Sequence, residues 1–166
     1  MSDVTIQPAT RMDAAVIHRL AHEIWWPTYG DLLPHAQIRF MLKNNYAIAA
    51  LKQQMVAGQQ FALATSDGQA VGFIGFQQKP ADDSIMRIEK LYVHPSQQGK
   101  GTGKKLIDHV GQLALAAGIS YLELNVYRHN PAKIFYERQG FVIVESVQIP
   151  YHGYLLDDYI MRKQLS

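Results

Sequence analysis

Leu91-Tyr92-Val93-His94-Pro95-Ser96-Gln97-Gln98-Gly99-Lys100-Gly101-Thr102-Gly103-Lys104 reads as an apolar strand running into a glycine-rich turn that opens a helix. Glycine lets the main chain take positive φ and come close to a ligand, and the first N–H groups of a helix are donors without intrahelical partners. Together they make a cradle for an anion, and a diphosphate fits it. Lys100, Lys104 and Lys105 add positive charge at the same end. The spacing of Leu106, Ile107, Val110, Leu113, Ala114 and Ala117 predicts a helix buried along one face and stopped at Gly118.

Two familiar phosphate loops do not fit. A Walker A loop needs Ser or Thr after Gly-Lys, and Gly103-Lys104 is followed by Lys105. A dinucleotide fingerprint starting at Gly99 or Gly101 would need its third glycine where Lys104 or Leu106 stands. The pattern present is Q-x-x-G-x-G, carried by Gln98, Gly101 and Gly103 directly after a strand. It resembles the acetyl-CoA pyrophosphate motif of the GCN5-related N-acetyltransferase (GNAT) family. A tight strand-to-helix turn is the competing reading of the glycines alone.

Working outward, Val4 to Gln7 reads as a strand ended by Pro8, and Thr10 or Asp13 as the cap of a helix burying Val16, Ile17, Leu20 and Ile24. A second stripe, His18, His22, Trp25 and Tyr29, reads as a solvated or cleft-facing edge. Two histidines at i, i+4 lack the H-E-x-x-H pattern and a third ligand, so no metal is expected. Pro27, Gly30 and Pro34 predict a turn-rich connection, followed by short helices over 35–45 and 46–57. From Gln60 the period becomes two. Strands are predicted over 61–65 and 70–77 around an Asp67-Gly68 hairpin turn, then over 84–93. After the glycine turn come a strand at 121–126, a helix capped by Asn130 with Pro131 at its first position and closed by Gly140, and strands at 141–147 and 154–161.

A strand–helix–strand passage implies a parallel pair, and the hairpins are antiparallel. The expected fold is α/β (α+β): a mixed, mostly antiparallel central sheet of about seven strands with helices on both faces, in one domain over 1–166. The element order is similar to the GNAT fold. The segment Asn130-Pro131-Ala132-Lys133-Ile134-Phe135-Tyr136-Glu137-Arg138-Gln139-Gly140-Phe141 resembles the family's second signature, N-x-x-A-x-x-F-Y-x-x-x-G-F, at every defined position.

The resemblance implies direct acetyl transfer from acetyl-CoA to an amine, without a metal. It places Leu91, Tyr92, Val93, Gln98, Gly99, Lys100, Gly101, Thr102, Gly103, Lys104, Asn130, Ala132, Lys133 and Phe135 at the cofactor, with Tyr136 donating a proton to the departing thiolate. A phenol of ordinary pKa, about 10, is protonated at neutral pH and suits that task. Glu89 is the candidate base or counter-charge, because the histone-acetylating branch carries its catalytic Glu where this chain has Arg87. His94 reads as a loop residue. Alternation puts Glu89 on one face with Leu91 and Val93.

The carboxy-terminal pattern resembles the branch that includes polyamine N-acetyltransferases. Glu23, Trp25, Trp26, Tyr29, Glu89 and Tyr151 would supply acidic and aromatic lining for such an amine. A small amine or polyamine comes first among acceptors, then a peptide N-terminus or lysine. A non-catalytic acyl-CoA sensor is the other class compatible with the cradle, and the family allows a homodimer.

The bulk properties agree. The chain has 166 residues, 48% hydrophobic and 18% charged, enough for one buried core and unlike a disordered chain. It has no cysteine, which excludes disulfides, thiolate metal sites and a Cys nucleophile. A net charge of +2 with no basic run beyond the lysines of the glycine turn argues against a nucleic-acid-binding surface. The absence of a leader-like start and of a bilayer-length apolar run leads to the expectation of a cytoplasmic protein away from membranes.

Overall fold

The computed structural model describes residues 3–166. Seven strands, β1 (Val4–Ala9), β2 (Gln60–Ser66), β3 (Gln69–Lys79), β4 (Asp82–Val93), β5 (Tyr121–Tyr127), β6 (Val142–Tyr151) and β7 (Tyr154–Gln164), form one sheet in the order β1-β2-β3-β4-β5-β7-β6. Five helices accompany it: α1 (Ala14–Tyr29), α2 (His35–Tyr46), α3 (Ile48–Val56), α4 (Thr102–Ala116) and α5 (Ala132–Arg138). The β4–β5 pair is parallel, while β1–β2, β2–β3, β5–β7 and β6–β7 are antiparallel. The mixed sheet and the element order are those expected. No described helix is long and apolar enough to cross a membrane.

The chain forms two compact units, one of residues up to Phe76 with Lys90–His109, the other of Gln77–Glu89 with Val110–Ser166. In the first, Ile17, Leu20 and Ile24 of α1 are buried at helical spacing, as are Ile38, Leu51, Phe73, Ile74, Leu106 and Ile107. In the second, Leu122, Leu124 and Val126 of β5 alternate inward, and Val110, Ala114, Phe141 and Met161 are buried too.

Several local expectations shift. Pro8 does not end β1: it lies opposite Ala62, and an edge strand tolerates a residue without an N–H. Helix α1 runs through Pro27 to Tyr29, with the Thr28 hydroxyl donating to the Ile24 carbonyl at 2.7 Å. Tyr46 closes α2 rather than opening α3. Thr10 and Asp13 share the capping work: Thr10 Oγ1 accepts from the Met12 N–H, and Asp13 Oδ2 accepts from the Thr10 N–H. Helix α5 starts at Ala132, two residues after Asn130, whose Oδ1 accepts from the Ala132 N–H at 3.0 Å. The hairpin turns carry their expected chemistry, with φ of 52° and 76° at Asp67 and Gly68, and 50° and 83° at His152 and Gly153.

Candidate active site

In the first unit, β4 ends at Val93, a short 3-10 turn spans Pro95–Gln97, and α4 begins at Thr102. Gly99 and Gly101 have φ of 80° and 81°, and a side chain built on either would point into open space. That conformation favours glycine over any residue with a Cβ. The Lys105 N–H bonds to the Gly101 carbonyl, which leaves the Thr102, Gly103 and Lys104 N–H groups as the free donors of the first turn. Thr102 is 1% exposed and its buried Oγ1 has no hydrogen-bond partner among the described residues. A buried hydroxyl left unpaired is costly, and an anion acceptor satisfies it.

The lysines divide. Lys104 Nζ lies 2.6 Å from Asp108, and Lys105 Nζ reaches the Val4 carbonyl at 3.5 Å. Lys100 is exposed and has no partner among the described residues. Gln98 Nε2 donates to the Val93 carbonyl at 3.4 Å, folding the turn back onto the strand end. A Cβ at Gly72 would stand 3.0 Å from the Tyr92 carbonyl oxygen and 3.5 Å from the Val93 Cα, so a larger residue would push on the end of β4.

Beside this strand end lies an aromatic cluster. Trp25 packs at centroid distances of 4.5 Å from Tyr29 and 5.7 Å from both Tyr46 and Tyr92, and Phe73 stands 5.8 Å from Tyr92. Trp25 and Tyr29, expected along a solvated or cleft-facing edge, are each only 8% exposed, because this stripe of α1 turns toward β4. The Trp25 indole N–H is buried without a hydrogen-bond partner among the described residues. Trp26, one residue on and so about 100° around the helix, is elsewhere: it packs edge-on against His35 at 5.3 Å and lines a cavity of about 290 Å³ with His18 and His22. Glu23 is exposed, 3.0 Å from Arg19 and 3.5 Å from His94 Nε2. His94 Nδ1 accepts from the Ser96 N–H, so the neutral ring carries its proton on Nε2, facing Glu23.

In the second unit, the parallel ladder runs from Ile85↔Tyr121 to Ile88↔Leu124, and β4 continues beyond it. Glu89 is exposed and lies 3.6 Å from Arg87 Nε. Arg87 also donates to Glu123 at 2.9 Å and to Asn125 Oδ1 at 2.8 Å. Glu123 is 1% exposed and accepts further from Lys79 at 3.0 Å and from Arg162 at 2.7 Å. Burial pushes its carboxyl pKa up, but the hydrogen bonds from Arg162, Lys79 and Arg87 outweigh it and hold the carboxyl below its ordinary value.

Tyr136 is the buried residue of α5, edge-on to Phe135 at 5.4 Å and to Phe141 at 5.9 Å. The helix is held at one end by Asn130, and at the other the Phe141 N–H donates to the Tyr136 carbonyl at 3.0 Å. Gly140, at φ 96°, makes that reversal. Lys133 lies 3.5 Å from Glu137 and 5.8 Å from the centre of the Tyr159 ring. Tyr151 sits at the β6–β7 turn, edge-on to His152 at 4.5 Å.

The structure therefore gathers Trp25 and Tyr29 at the Tyr92 end of β4, joins Glu89 to Arg87, and sets Asn130, Phe135 and Tyr136 around α5. Sequence reading missed Tyr46 and the side chain of Tyr92 as members of the aromatic cluster, and missed Glu123. Tyr92 was legible as an aromatic two residues before the turn. Glu123 needed the register of three strands.

A family model described as acetyltransferase (GNAT) domain matches residues 57–143. A Lactobacillus delbrueckii subsp. lactis protein named "Uncharacterized N-acetyltransferase in pepI 3'region" is 26% identical over 147 residues, covering 84% of this chain and 85% of the relative. The L-2,4-diaminobutyric acid acetyltransferase of Nocardia farcinica is 32% identical over 72 residues, which are 43% of this chain and 37% of that protein. Among solved structures, the PaiA N-acetyltransferase of Thermoplasma acidophilum in complex with coenzyme A shares the fold, with a TM-score of 0.83, 23% identity, and coverage of 98% of this chain and 99% of the other. The chain belongs to the acetyltransferase (GNAT) domain family, and is an N-acetyltransferase with acetyl-CoA as its donor.

Proposed function

We propose that the acceptor is a small primary amine carrying a second cationic group, a polyamine or a diamino acid, that Tyr136 is the proton donor to the leaving thiolate, and that Glu89 handles the amine proton. The observation that carries the acceptor reading is the Trp25–Tyr29–Tyr92 cluster at the end of β4, with the Glu23 carboxylate 3.5 Å from His94 just beyond that strand end. Aromatic faces attract ammonium groups, and a carboxylate supplies the opposite charge. The name of the Nocardia farcinica relative, a diamino acid acetyltransferase, points the same way.

Acetyl-CoA supplies an activated acetyl group. The first-turn N–H groups of α4, the Thr102 hydroxyl and Lys100 hold the diphosphate, with Gly99 and Gly101 leaving room for it. Lys104 contributes its backbone N–H, since its ammonium is shared with Asp108. The Leu91, Tyr92 and Val93 backbone orients the pantetheine arm, and Asn130, Ala132, Lys133 and Phe135 contribute to binding it. The attacking nitrogen must be neutral, and Glu89 takes its proton through water. As the carbon–sulfur bond breaks, the Tyr136 hydroxyl gives its proton to sulfur and recovers one from solvent.

The test is release of free CoA thiol from acetyl-CoA across polyamines, diamino acids, amino acids and peptides. The expected result is the highest kcat/KM with diamines. Turnover confined to peptides would overturn the acceptor assignment, and tight CoA binding without turnover would favour the sensor role.

A further inference from the structure

We propose that His18 and His22 form a two-histidine chelate for a late first-row divalent cation on α1. The residues are one helical turn apart, so they share a face, and their ring centroids are 4.3 Å apart. His18 Nδ1 lies 2.7 Å from the Tyr46 carbonyl oxygen, and His22 Nδ1 lies 2.9 Å from the His18 carbonyl oxygen. A carbonyl only accepts, so each neutral ring carries its proton on Nδ1 and leaves the Nε2 lone pair available. Neither Nε2 has a partner among the described residues.

This is the state a metal requires of histidine: one ring nitrogen fixed by a backbone carbonyl, the other free to ligate. Both rings line the open cavity of about 290 Å³ shared with Trp26, Arg39, Leu42, Lys43 and Ala47, which leaves space for water or an anion to complete the coordination sphere. No group of three or more His, Asp or Glu side chains gathers there or elsewhere among the described residues, so the protein supplies two ligands and the ion stays exchangeable. Arg39 and Lys43 line the same cavity without ionic partners among the described residues, and their charge opposes that of a dication, so binding rests on the two imidazoles and is of moderate affinity. Imidazole ligands and the general affinity order place Cu²⁺ first, ahead of Ni²⁺ and Zn²⁺. The sequence pattern alone hid this site, because it rests on which ring nitrogen each carbonyl takes. Occupancy would strengthen the His18–Tyr46 bond and so tie α1 to the end of α2, where the Tyr46 ring stands 5.7 Å from Trp25.

The experiment is calorimetric titration of tag-free protein with CuCl₂, NiCl₂ and ZnCl₂ at pH 8 and pH 6, paired with melting curves. The expected result is one saturable site, tightest for Cu²⁺, weaker at pH 6 because protons compete for Nε2, with a metal-dependent rise in Tm. His22 is exposed and its ring bonds only within its own helix, so His22→Ala keeps the fold. It should weaken binding at least about tenfold, the lower end of what losing an outer hydrogen-bond partner costs at metal sites, and abolish the Tm rise. No saturable site, or equal affinity in wild type, His22→Ala and the double variant His18→Ala/His22→Ala, would overturn the proposal. Binding of inorganic phosphate alone, with no metal, would assign the cavity to anions and overturn it as well.

Discussion

The Tyr29 hydroxyl lies 3.1 Å from the Tyr92 hydroxyl, so the last residue of α1 is tied to the end of β4, directly before the glycine turn. Trp25 packs against both rings, and its indole N–H has no partner among the described residues. With a cationic amine on this cluster, Trp25→Leu, which removes the aromatic face, should raise KM for the amine about tenfold, the loss of roughly 1.4 kcal/mol of cation–π attraction, and leave the CoA Kd unchanged. Steady-state kinetics against amine concentration give both values.

Glu123 makes an independent stability prediction. Its carboxyl is held below the ordinary value, because hydrogen bonds from Arg162, Lys79 and Arg87 outweigh the burial that pushes it up. A carboxyl depressed in the folded state stabilises the protein above its unfolded pKa, and that contribution is lost as pH falls through the folded value. Replacing Glu123 by Ala leaves three cations around an empty position and should cost about 3 kcal/mol at pH 7. The difference from wild type should shrink as pH drops below about 4.3, which urea unfolding at pH 7 and in acid measures.

Asp158 has the opposite sign. Burial raises its pKa and neighbouring Asp157 adds to the rise, against a hydrogen bond from Asn125 at 3.3 Å that lowers it. A carboxyl raised in the folded state costs stability once ionised and returns it as pH falls. Asp158→Asn should therefore raise Tm at pH 7, with the gain fading in acid. Thermal melts across pH decide it.

Gly101→Val tests the cradle. Its φ of 81° suits glycine, and forcing a β-branched residue there costs on the order of 1–3 kcal/mol, so CoA should bind about tenfold more weakly or worse. Calorimetry with CoA measures this, and unchanged affinity would remove the turn from the diphosphate site.

Much of the fold was legible because local chemistry and tertiary structure agree: Asp67-Gly68 makes a hairpin turn, Gly118 and Gly140 take positive φ where helices stop, and the apolar Leu122, Leu124 and Val126 of β5 are buried at alternate positions. The misreadings share a cause, that local signals do not report neighbours. Pro8 looked like a strand end, but an edge position forgives its missing N–H. The α1 stripe looked solvated because Trp25 and Tyr29 follow two histidines in sequence, yet only His22 among them is exposed. In the site, the glycine turn and the Asn130–Tyr136 signature could be read from residue types and spacing. The charges could not: that Lys104 is shared with Asp108, and that Arg87 holds Glu89 and Glu123, are properties of geometry.

The assignment of Tyr136 as proton donor is tested most directly by the turnover of Tyr136→Phe with the preferred amine, measured as CoA thiol release. The substitution keeps the buried ring between Phe135 and Phe141 and removes only the hydroxyl. The expected result is a fall in kcat of about 100-fold, the lower end of what a positioned acid contributes, with the CoA Kd unchanged. Turnover equal to wild type would contradict it.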